Sequence, residues 1–310
     1  MRKILYIISS VCLMMNLASC QKENTPKQTA NNTITIELDC ETMTKVALNE
    51  VDGIVKATWE TGDYLEVWER PEPAATNKFS NLDMSKVSKM ELVSGAGKNK
   101  ATFRGIFAGT LPEELNVIYR KNTNNNAFRQ NTNGSFQCSG NPQLLTSDLN
   151  EAPLILAGVF KKSGESTYVP ADGMTDGKMV YGGALFKITM QGLTPNTKIK
   201  TVTYKVATTD KFIGAASTFS YKNDVFTSTG AMGLKNGSTQ SNGEVTTGAD
   251  GNVTIYSFIM PQGYQSNGSD FDVYVTYESG NEVKVGTIKF IDKQILLGKC
   301  YSLTLTKSDE

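Results

Sequence analysis

The stretch TITIELDC, from Thr33 to Cys40, decides the fold class of this chain. Its apolar residues Ile34, Ile36 and Leu38 alternate with polar ones, which is the period of a β-strand with one face in a core. The same period returns along most of the chain. We therefore predict an all-β protein.

Further strand patterns fall into two series, separated by a segment rich in Gly, Ser, Asp and Lys at 161–180. The candidate strands of the first series are 54–59, 64–68, 89–93, 101–107, 115–120, 127–137 and 154–160. Those of the second are 183–190, 200–206, 217–221, 253–260, 271–277, 282–290 and 300–306. Asn-Gly and Asp-Gly pairs between these runs favour tight hairpins.

This layout predicts two tandem β-sandwiches at 33–165 and 181–310, joined by a linker at 166–180. Helix signals are confined to two short segments, 112–115 and 144–150. The Gly-, Ser-, Thr- and Asn-rich stretch 223–251 is expected to form a long loop with at most one short strand.

The first twenty residues indicate export. A basic start at Arg2 and Lys3 precedes an apolar run, Ile4 to Leu17, that is too short to span a bilayer comfortably. Its ending, Leu-Ala-Ser-Cys20, resembles the lipobox of bacterial lipoproteins, which implies acyl chains on Cys20. An ordinary signal peptide with a chance cysteine is the alternative. We expect a signal peptide at 1–19 and a lipidated flexible tether at 20–32.

Composition narrows the possible functions. The chain has 31 basic and 31 acidic residues and no histidine. Near-neutral charge argues against a nucleic-acid partner. Without histidine, Ser-His-Asp and Cys-His nucleophile pairs and most catalytic zinc sites are excluded. The adjacent acids Glu113 and Glu114 are expected to be solvated, and the Asp172–Gly177 loop lacks the ligand spacing of an EF-hand. We assign no catalytic residue, metal site or cofactor.

Three cysteines remain after Cys12 leaves with the signal and Cys20 is acylated. They are Cys40, Cys138 and Cys300. A Cys40–Cys138 disulfide is one interpretation, since both fall in the first predicted domain and an oxidising compartment would favour it. Three separate buried thiols are the other.

Four sequence elements follow one another in order: the Thr-rich first strand, the block Thr44-Lys45 to Val67 with its Trp59-x-x-Gly-Asp element, Gly183–Ile188, and the closing Gly298–Leu305. This order of motifs resembles the fimbrillin family of Bacteroidetes, the subunits of type V pili and related lipoproteins. The resemblance implies two transthyretin-like β-sandwich domains, an outer-membrane and surface-exposed location, and membership of a fimbrium.

The resemblance also implies assembly by strand exchange, in which a protease removes the first strand and a strand of a neighbouring pilin subunit fills the groove. Ile34, Ile36 and Leu38 would then belong to the exchanged strand, and a permanent edge strand is the alternative. No arginine lies between Cys20 and Arg70, so Lys45 is the candidate processing site. This departure favours an anchor, tip or accessory subunit that binds other subunits, the membrane, and a host or bacterial surface receptor.

A second hypothesis is a glycan-binding surface lipoprotein of a polysaccharide-uptake system. Trp59, Trp68, Tyr64 and Tyr119 would form its aromatic platform. Large aromatics within alternating strands more often lie in the core, so a core role competes with this interpretation.

Overall fold

The structure is a computed structural model that describes residues 32–39, 47–51, 54–72, 78–122, 127–139, 144–174, 179–206, 214–222, 225–233, 238–259, 271–289 and 299–307. These residues form 23 strands and two three-residue 3-10 helices, Met84–Lys86 and Leu149–Glu151. The predicted all-β fold, with sheets packed as sandwiches, is confirmed.

The strands up to residue 181 are β1 (Thr33–Asp39), β2 (Ala47–Val51), β3 (Ile54–Thr58), β4 (Tyr64–Glu69), β5 (Phe79–Asn81), β6 (Ser88–Ser94), β7 (Lys100–Ile106), β8 (Glu114–Lys121), β9 (Ala127–Asn131), β10 (Phe136–Ser139), β11 (Leu144–Leu145), β12 (Leu154–Lys162), β13 (Thr167–Pro170) and β14 (Val180–Tyr181). Those that follow are β15 (Ala184–Gln191), β16 (Lys198–Val206), β17 (Gly214–Lys222), β18 (Val225–Gly233), β19 (Ser238–Thr246), β20 (Val253–Ile259), β21 (Phe271–Tyr277), β22 (Glu282–Ile288) and β23 (Cys300–Thr306).

Seven strands close into a barrel-like ring in the order β1-β7-β6-β4-β8-β12-β13, and β13 returns to β1. Strands that alternate in direction cannot close a ring of odd number, so one neighbouring pair has to be parallel. That pair is β1 and β13, and the other six pairs are antiparallel. β14 pairs with β12 as a further strand of the same sheet.

Alternate side chains of all seven strands fill the interior of this barrel. They include Ile34, Ile36 and Leu38 of β1, Leu65 and Val67 of β4, Phe103 of β7, Leu115, Val117 and Tyr119 of β8, Leu156 and Phe160 of β12, and Tyr168 of β13. Trp59 joins the same cluster from the turn before β4.

A second core lies on the outer side of β4, β8 and β12. The sheet β18-β17-β10-β9-β5 contributes Phe128, Phe136, Cys138, Phe219 and Tyr221 to it, and the barrel contributes Trp68, Ile118, Ile155, Ala157 and Val159. This arrangement explains the uninterrupted apolar run of β12, because a strand buried on both faces has no polar side to show.

A third core fills a sandwich between the sheets β11-β19-β16-β21-β22 and β20-β15-β23. Here β15 alternates strictly between buried and half-buried positions, as its sequence predicts. The hairpin β2-β3 forms a separate two-stranded sheet.

Several local predictions are wrong. The predicted loop 223–251 contains the nine-residue strands β18 and β19, which pair with β17 and β16. Residues 112–115 form no helix and lead into β8, while 144–150 begins with β11 and only then turns into a 3-10 helix. The composition of β18 and β19 predicts a loop, but hydrogen bonds to a neighbouring strand can stabilise a polar strand that has no apolar alternation.

The predicted linker 166–180 is not free of strands. It contains β13, which completes the barrel, and β17 pairs with β10 across the predicted boundary. Strand pairing does not by itself define folding units, so the division into domains at 33–165 and 181–310 stays a prediction.

Candidate functional site

β1 lies within the ring of the barrel, with a neighbouring strand on each edge. It pairs with β7 along its whole length, Thr33–Asp39. On its other edge it pairs with β13 at only two positions, Thr35 opposite Thr167 and Ile36 opposite Tyr168. β1 is therefore an interior strand of the ring and not an edge strand.

The side chains of β1 that point inward are part of the barrel core. Ile34 and Ile36 are fully buried, and Leu38 is 5 % exposed. Burying an aliphatic side chain of this size stabilises a fold by roughly 1.5–3 kcal/mol. Loss of β1 would leave a strand-shaped groove between β7 and β13 with an apolar floor.

The N-terminal end of β1 is tied down on both edges. The backbone N–H of Phe107 donates to the carbonyl of Asn32 at 2.8 Å, and the Asn32 side-chain amide donates to the carbonyl of Gly109. On the other edge the N–H of Thr35 donates to the carbonyl of Ser166 at 2.8 Å.

The C-terminal end of β1 borders a cleft of about 680 Å³ that separates it from the last residues of β13. Glu37 and Leu38 line one side of this cleft, Val169 and Pro170 the other, and the hairpin between β6 and β7 lines its end with Lys98. The N-terminal end of β1 is therefore hydrogen-bonded on both edges, whereas a cleft borders its C-terminal end.

The Trp59-x-x-Gly-Asp element forms the turn that leads into β4. The N–H of Asp63 donates to the carbonyl of Glu60, and Gly62 has a φ of +97°, a conformation that suits glycine. The Trp59 ring packs edge-on against Phe103 and Tyr119, at centroid distances of 4.9 and 5.3 Å.

The Asp63 carboxyl is half-buried beneath this turn. It accepts hydrogen bonds from the N–H of Glu60 at 2.6 Å and from the Tyr119 hydroxyl at 3.2 Å. Burial raises the pKa of Asp63 to about 6, against the lowering effect of both hydrogen bonds. Burial and the nearby Asp63 charge also raise the pKa of Tyr119.

Several charged and polar side chains are paired where the sheet β18-β17-β10-β9-β5, the outer sheet, packs on the barrel. Arg120 donates two hydrogen bonds of 2.7 Å to Glu66, and its guanidinium lies 4.5 Å from the Phe128 ring centroid. The Trp68 indole N–H donates to Gln130 at 2.7 Å. These hydrogen bonds pair the Glu66, Arg120, Trp68 and Gln130 side chains between the barrel and the sheet that covers it.

The aromatic platform predicted for glycan binding does not form. Trp59, Trp68 and Tyr119 are buried in two different cores, and Tyr64 is the exposed member of the four. The core interpretation of both tryptophans is confirmed. A second cleft, of about 820 Å³, has Trp68 in its lining, but that ring is only 1 % exposed.

The other predicted site residues have separate outcomes. Cys20, Cys40 and Lys45 lie outside the described residues, so lipidation and processing stay predictions. Cys138 is a free thiol in the structure, and burial raises its pKa to about 12. Its predicted disulfide partner Cys40 is outside the described residues. Cys300 is half-buried in β23.

Of the two adjacent acids predicted to be solvated, Glu113 is exposed and Glu114 is half-buried. Glu114 is in an ion pair with Arg70, whose guanidinium also lies 5.1 Å from the Tyr221 ring centroid. Among the described residues, no group of three or more Cys, Asp or Glu side chains could hold a metal ion. Nor does any helix in those ranges have the length and apolar character needed to cross a membrane.

Sequence reasoning missed Pro170 and the strand that contains it. β13 has four residues, TYVP, with a single fully buried side chain, so it carries no alternation long enough to detect. A proline at a strand end is a signal for an interrupted ladder, but its meaning depends on which strand lies opposite.

Comparison with known proteins identifies no family. No family model and no curated protein matches the chain. One solved structure with a similar arrangement is the crystal structure of a "putative cell adhesion protein" from Bacteroides fragilis, at 10% sequence identity and a TM-score of 0.43, covering 88% of this chain and 92% of that one. Any function assigned to this chain has to rest on its own residues.

Proposed function

We propose that the chain is a fimbrillin-like surface lipoprotein, a structural or adhesive pilus subunit that assembles by β-strand exchange. The observation that supports the proposal is the placement of β1. It is a seven-residue strand at the start of the described chain, and it carries the apolar residues Ile34, Ile36 and Leu38 into a barrel core.

β-Strand exchange requires a receiving groove with two features. Its edges have to offer unpaired backbone groups, which supply affinity, and its floor has to accept alternate side chains, which set the register. A barrel without β1 has both, since β7 would expose a seven-residue edge and the core would lose three aliphatic side chains.

The partners of this function are other pilin subunits, the outer membrane through lipid on Cys20, and a surface receptor on a host or bacterial cell. We propose an anchor, tip or accessory position in a fimbrium, with Lys45 as the processing site. The glycan-binding alternative loses its support, because three of its four rings are buried.

The test is controlled removal of β1. A recognition site for a sequence-specific protease is inserted between Lys45 and Val46 of the full chain, and the cut and uncut proteins are compared on SDS gels without boiling. We expect SDS-resistant multimers only after cutting, together with release of the fragment that contains β1. A cut protein that stays monomeric, or that keeps the fragment, would overturn the proposal.

A matched pair of variants checks that the inward face of β1 is responsible. Ile36→Asp places a charge in the core and should release the cut fragment faster. Glu37→Gln alters the exposed face of the same strand and should release it at the unmodified rate.

A further inference from the structure

We propose that two copies of this chain associate through β23, which pairs with β23 of the second copy in antiparallel orientation and joins their two sheets β20-β15-β23 into one. The proposal goes beyond the strand exchange argued above, because it concerns the third core and requires neither β1 nor its removal. Three observations support it: an open strand edge, the lack of protection along that edge, and a self-complementary sequence.

The first observation is that one edge of β23 is open. Among the described residues, β23 is the last strand of its sheet and pairs with β15 alone. The N–H of Lys307 donates to the carbonyl of Gln191 at 3.0 Å and so faces β15. Backbone groups alternate between the two edges of a strand, so the N–H and C=O groups of Ser302 and Thr304 face away from β15.

The core behind this edge is also incomplete. Of the inward-facing side chains of β23, Leu305 is buried, whereas Leu303 stays half-buried. Val283 of β22, the edge strand of the facing sheet, is half-buried against the same core. A strand added beside β23 pairs with the open backbone edge and covers apolar side chains at the same time.

The second observation is that two other edge strands of this sandwich are protected in ways that β23 is not. The N–H of Tyr256 in β20 donates to the carbonyl of Thr146 at 2.7 Å, so part of that edge is already paired. β22 carries Glu282 and Lys284, and charged side chains discourage the addition of a strand. β23 has the sequence CYSLTLT, without a charge or a proline. Its edge is therefore suited to pairing with another strand.

The third observation is the symmetry of the β23 sequence, which identifies a second copy as the partner. The inward side chains Tyr301, Leu303 and Leu305 are apolar, and the outward Ser302 and Thr304 are small hydroxyl residues. When two antiparallel copies place Leu303 opposite Leu303, Tyr301 meets Leu305 on the inner face and Ser302 meets Thr304 on the outer face. This register pairs the whole strand.

The same register satisfies the open backbone groups. Ser302 of one copy and Thr304 of the other exchange both of their backbone hydrogen bonds, since the N–H and C=O groups of both residues face the open edge. Pairing about a twofold axis is isologous, so each copy uses the same surface and the assembly closes as a dimer.

The first test is disulfide formation between two variants of the uncut full chain. Ser302→Cys and Thr304→Cys each add one exposed thiol, and the two variants carry different affinity tags. In the predicted register these thiols meet only when the variants are mixed, because either variant alone places its thiol opposite a hydroxyl. We expect a disulfide-linked dimer that carries both tags on non-reducing gels. A mixture that yields no more disulfide dimer than the separate variants would overturn the inference.

The second test removes one donor from the open edge. Thr304→Pro lacks the N–H that faces the second copy, while the bonds from β23 to β15 remain. Light scattering of the uncut full chain in detergent should show the mass of two copies for the unmodified chain and of one copy for Thr304→Pro. Thr304→Val keeps the N–H and a β-branched side chain, so this matched control should remain dimeric.

Two results of the mass measurement would contradict the inference. An unmodified chain that is monomeric at every concentration means that the edge does not pair with a second copy, and a dimeric Thr304→Pro variant means that the dimer uses another surface. If Thr304→Pro does not fold, Ser302→Lys combined with Thr304→Lys places like charges opposite each other in the same register and should also give monomers.

The outcomes are distinguishable from those of the proposed function. Dimers through β23 form in the uncut chain and depend on Thr304, whereas multimers by strand exchange form only after cutting beyond Lys45. Dimers of the uncut chain without multimers after cutting would reject strand exchange and retain this inference. Multimers of a cut chain that was monomeric before cutting would do the reverse.

Discussion

The side chain of Asp63 makes the stability of the fold depend on pH. Its pKa is about 6 in the folded chain and 3.8 ordinarily, so between these values the folded state binds more protons than the unfolded one. The contribution of protonated Asp63 to the free energy of unfolding is fully present below pH 4, and it is lost as the pH rises through 6. We expect the free energy of unfolding to be larger at pH 5 than at pH 7, and Asp63→Asn to remove that difference.

Urea denaturation at the two pH values measures this effect. Among the described carboxyl groups with a shifted pKa, Asp63 is the one whose pKa is raised, whereas the pKa values of Asp83 and Asp272 are lowered by their hydrogen bonds. Equal stability of the unmodified chain at pH 5 and pH 7, or the same pH dependence in Asp63→Asn, would contradict the assignment.

The Glu66–Arg120 pair supplies a second residue-scale prediction. The two side chains are 14% and 7% exposed, so Arg120→Met leaves an unpaired carboxylate in a core interface. Breaking a buried pair in this way costs about 3–5 kcal/mol, while replacing both partners by Glu66→Leu with Arg120→Met should cost less. The exposed pair Lys89–Glu91 is the control, and Lys89→Ala should cost under about 1 kcal/mol. Denaturant titration compares the variants, and a double variant less stable than Arg120→Met would argue against the pairing.

At the scale of elements, β12 tests whether the outer sheet covers the barrel. Its neighbours Ile155 and Leu156 point to opposite faces and are both fully buried. We expect Ile155→Ala and Leu156→Ala each to cost about 2–5 kcal/mol in unfolding free energy. In β15, which has one core face, Ile188→Ala should fall in that range and Lys187→Ala should not. A small cost for Ile155→Ala would mean that the sheet β18-β17-β10-β9-β5 does not pack on β12.

The elements also show how far the sequence predicts this fold. Strands with apolar alternation, such as β1 and β15, are predicted within one or two residues. β18 and β19 are not, because their Gly-, Ser- and Thr-rich sequences become strands only through their neighbours. Closure of the barrel is equally hidden in the sequence, since it depends on the four-residue strand β13, two residues of which pair with residues of β1 that lie 132 positions earlier.

The residues of the candidate site also differ in whether the sequence alone predicts their role. Ile34, Ile36 and Leu38 follow directly from the alternation in the first strand. Pro170 carries meaning only once β1 and β12 are known to lie on its two sides.

At the scale of the whole molecule, lipid on Cys20 predicts where the protein is found. Burial of acyl chains contributes about 0.8 kcal/mol per methylene, so two or three chains hold a protein on a membrane. Cys20→Ala should move the protein from the membrane fraction to the soluble fraction, and Cys300→Ser should not. Membrane retention of the Cys20→Ala chain, measured by fractionation and immunoblotting, would count against lipid as the anchor.

The most direct measurement of the central claim is competition for the vacated groove. The chain cut between Lys45 and Val46 is incubated with a synthetic peptide of residues 32–39, or with the same peptide carrying Ile36→Asp, and SDS-resistant multimers are quantified. The account predicts that the unmodified peptide fills the groove and abolishes the multimers, while the charged peptide leaves them intact. Multimers that persist at saturating unmodified peptide, or that respond equally to both peptides, would contradict it.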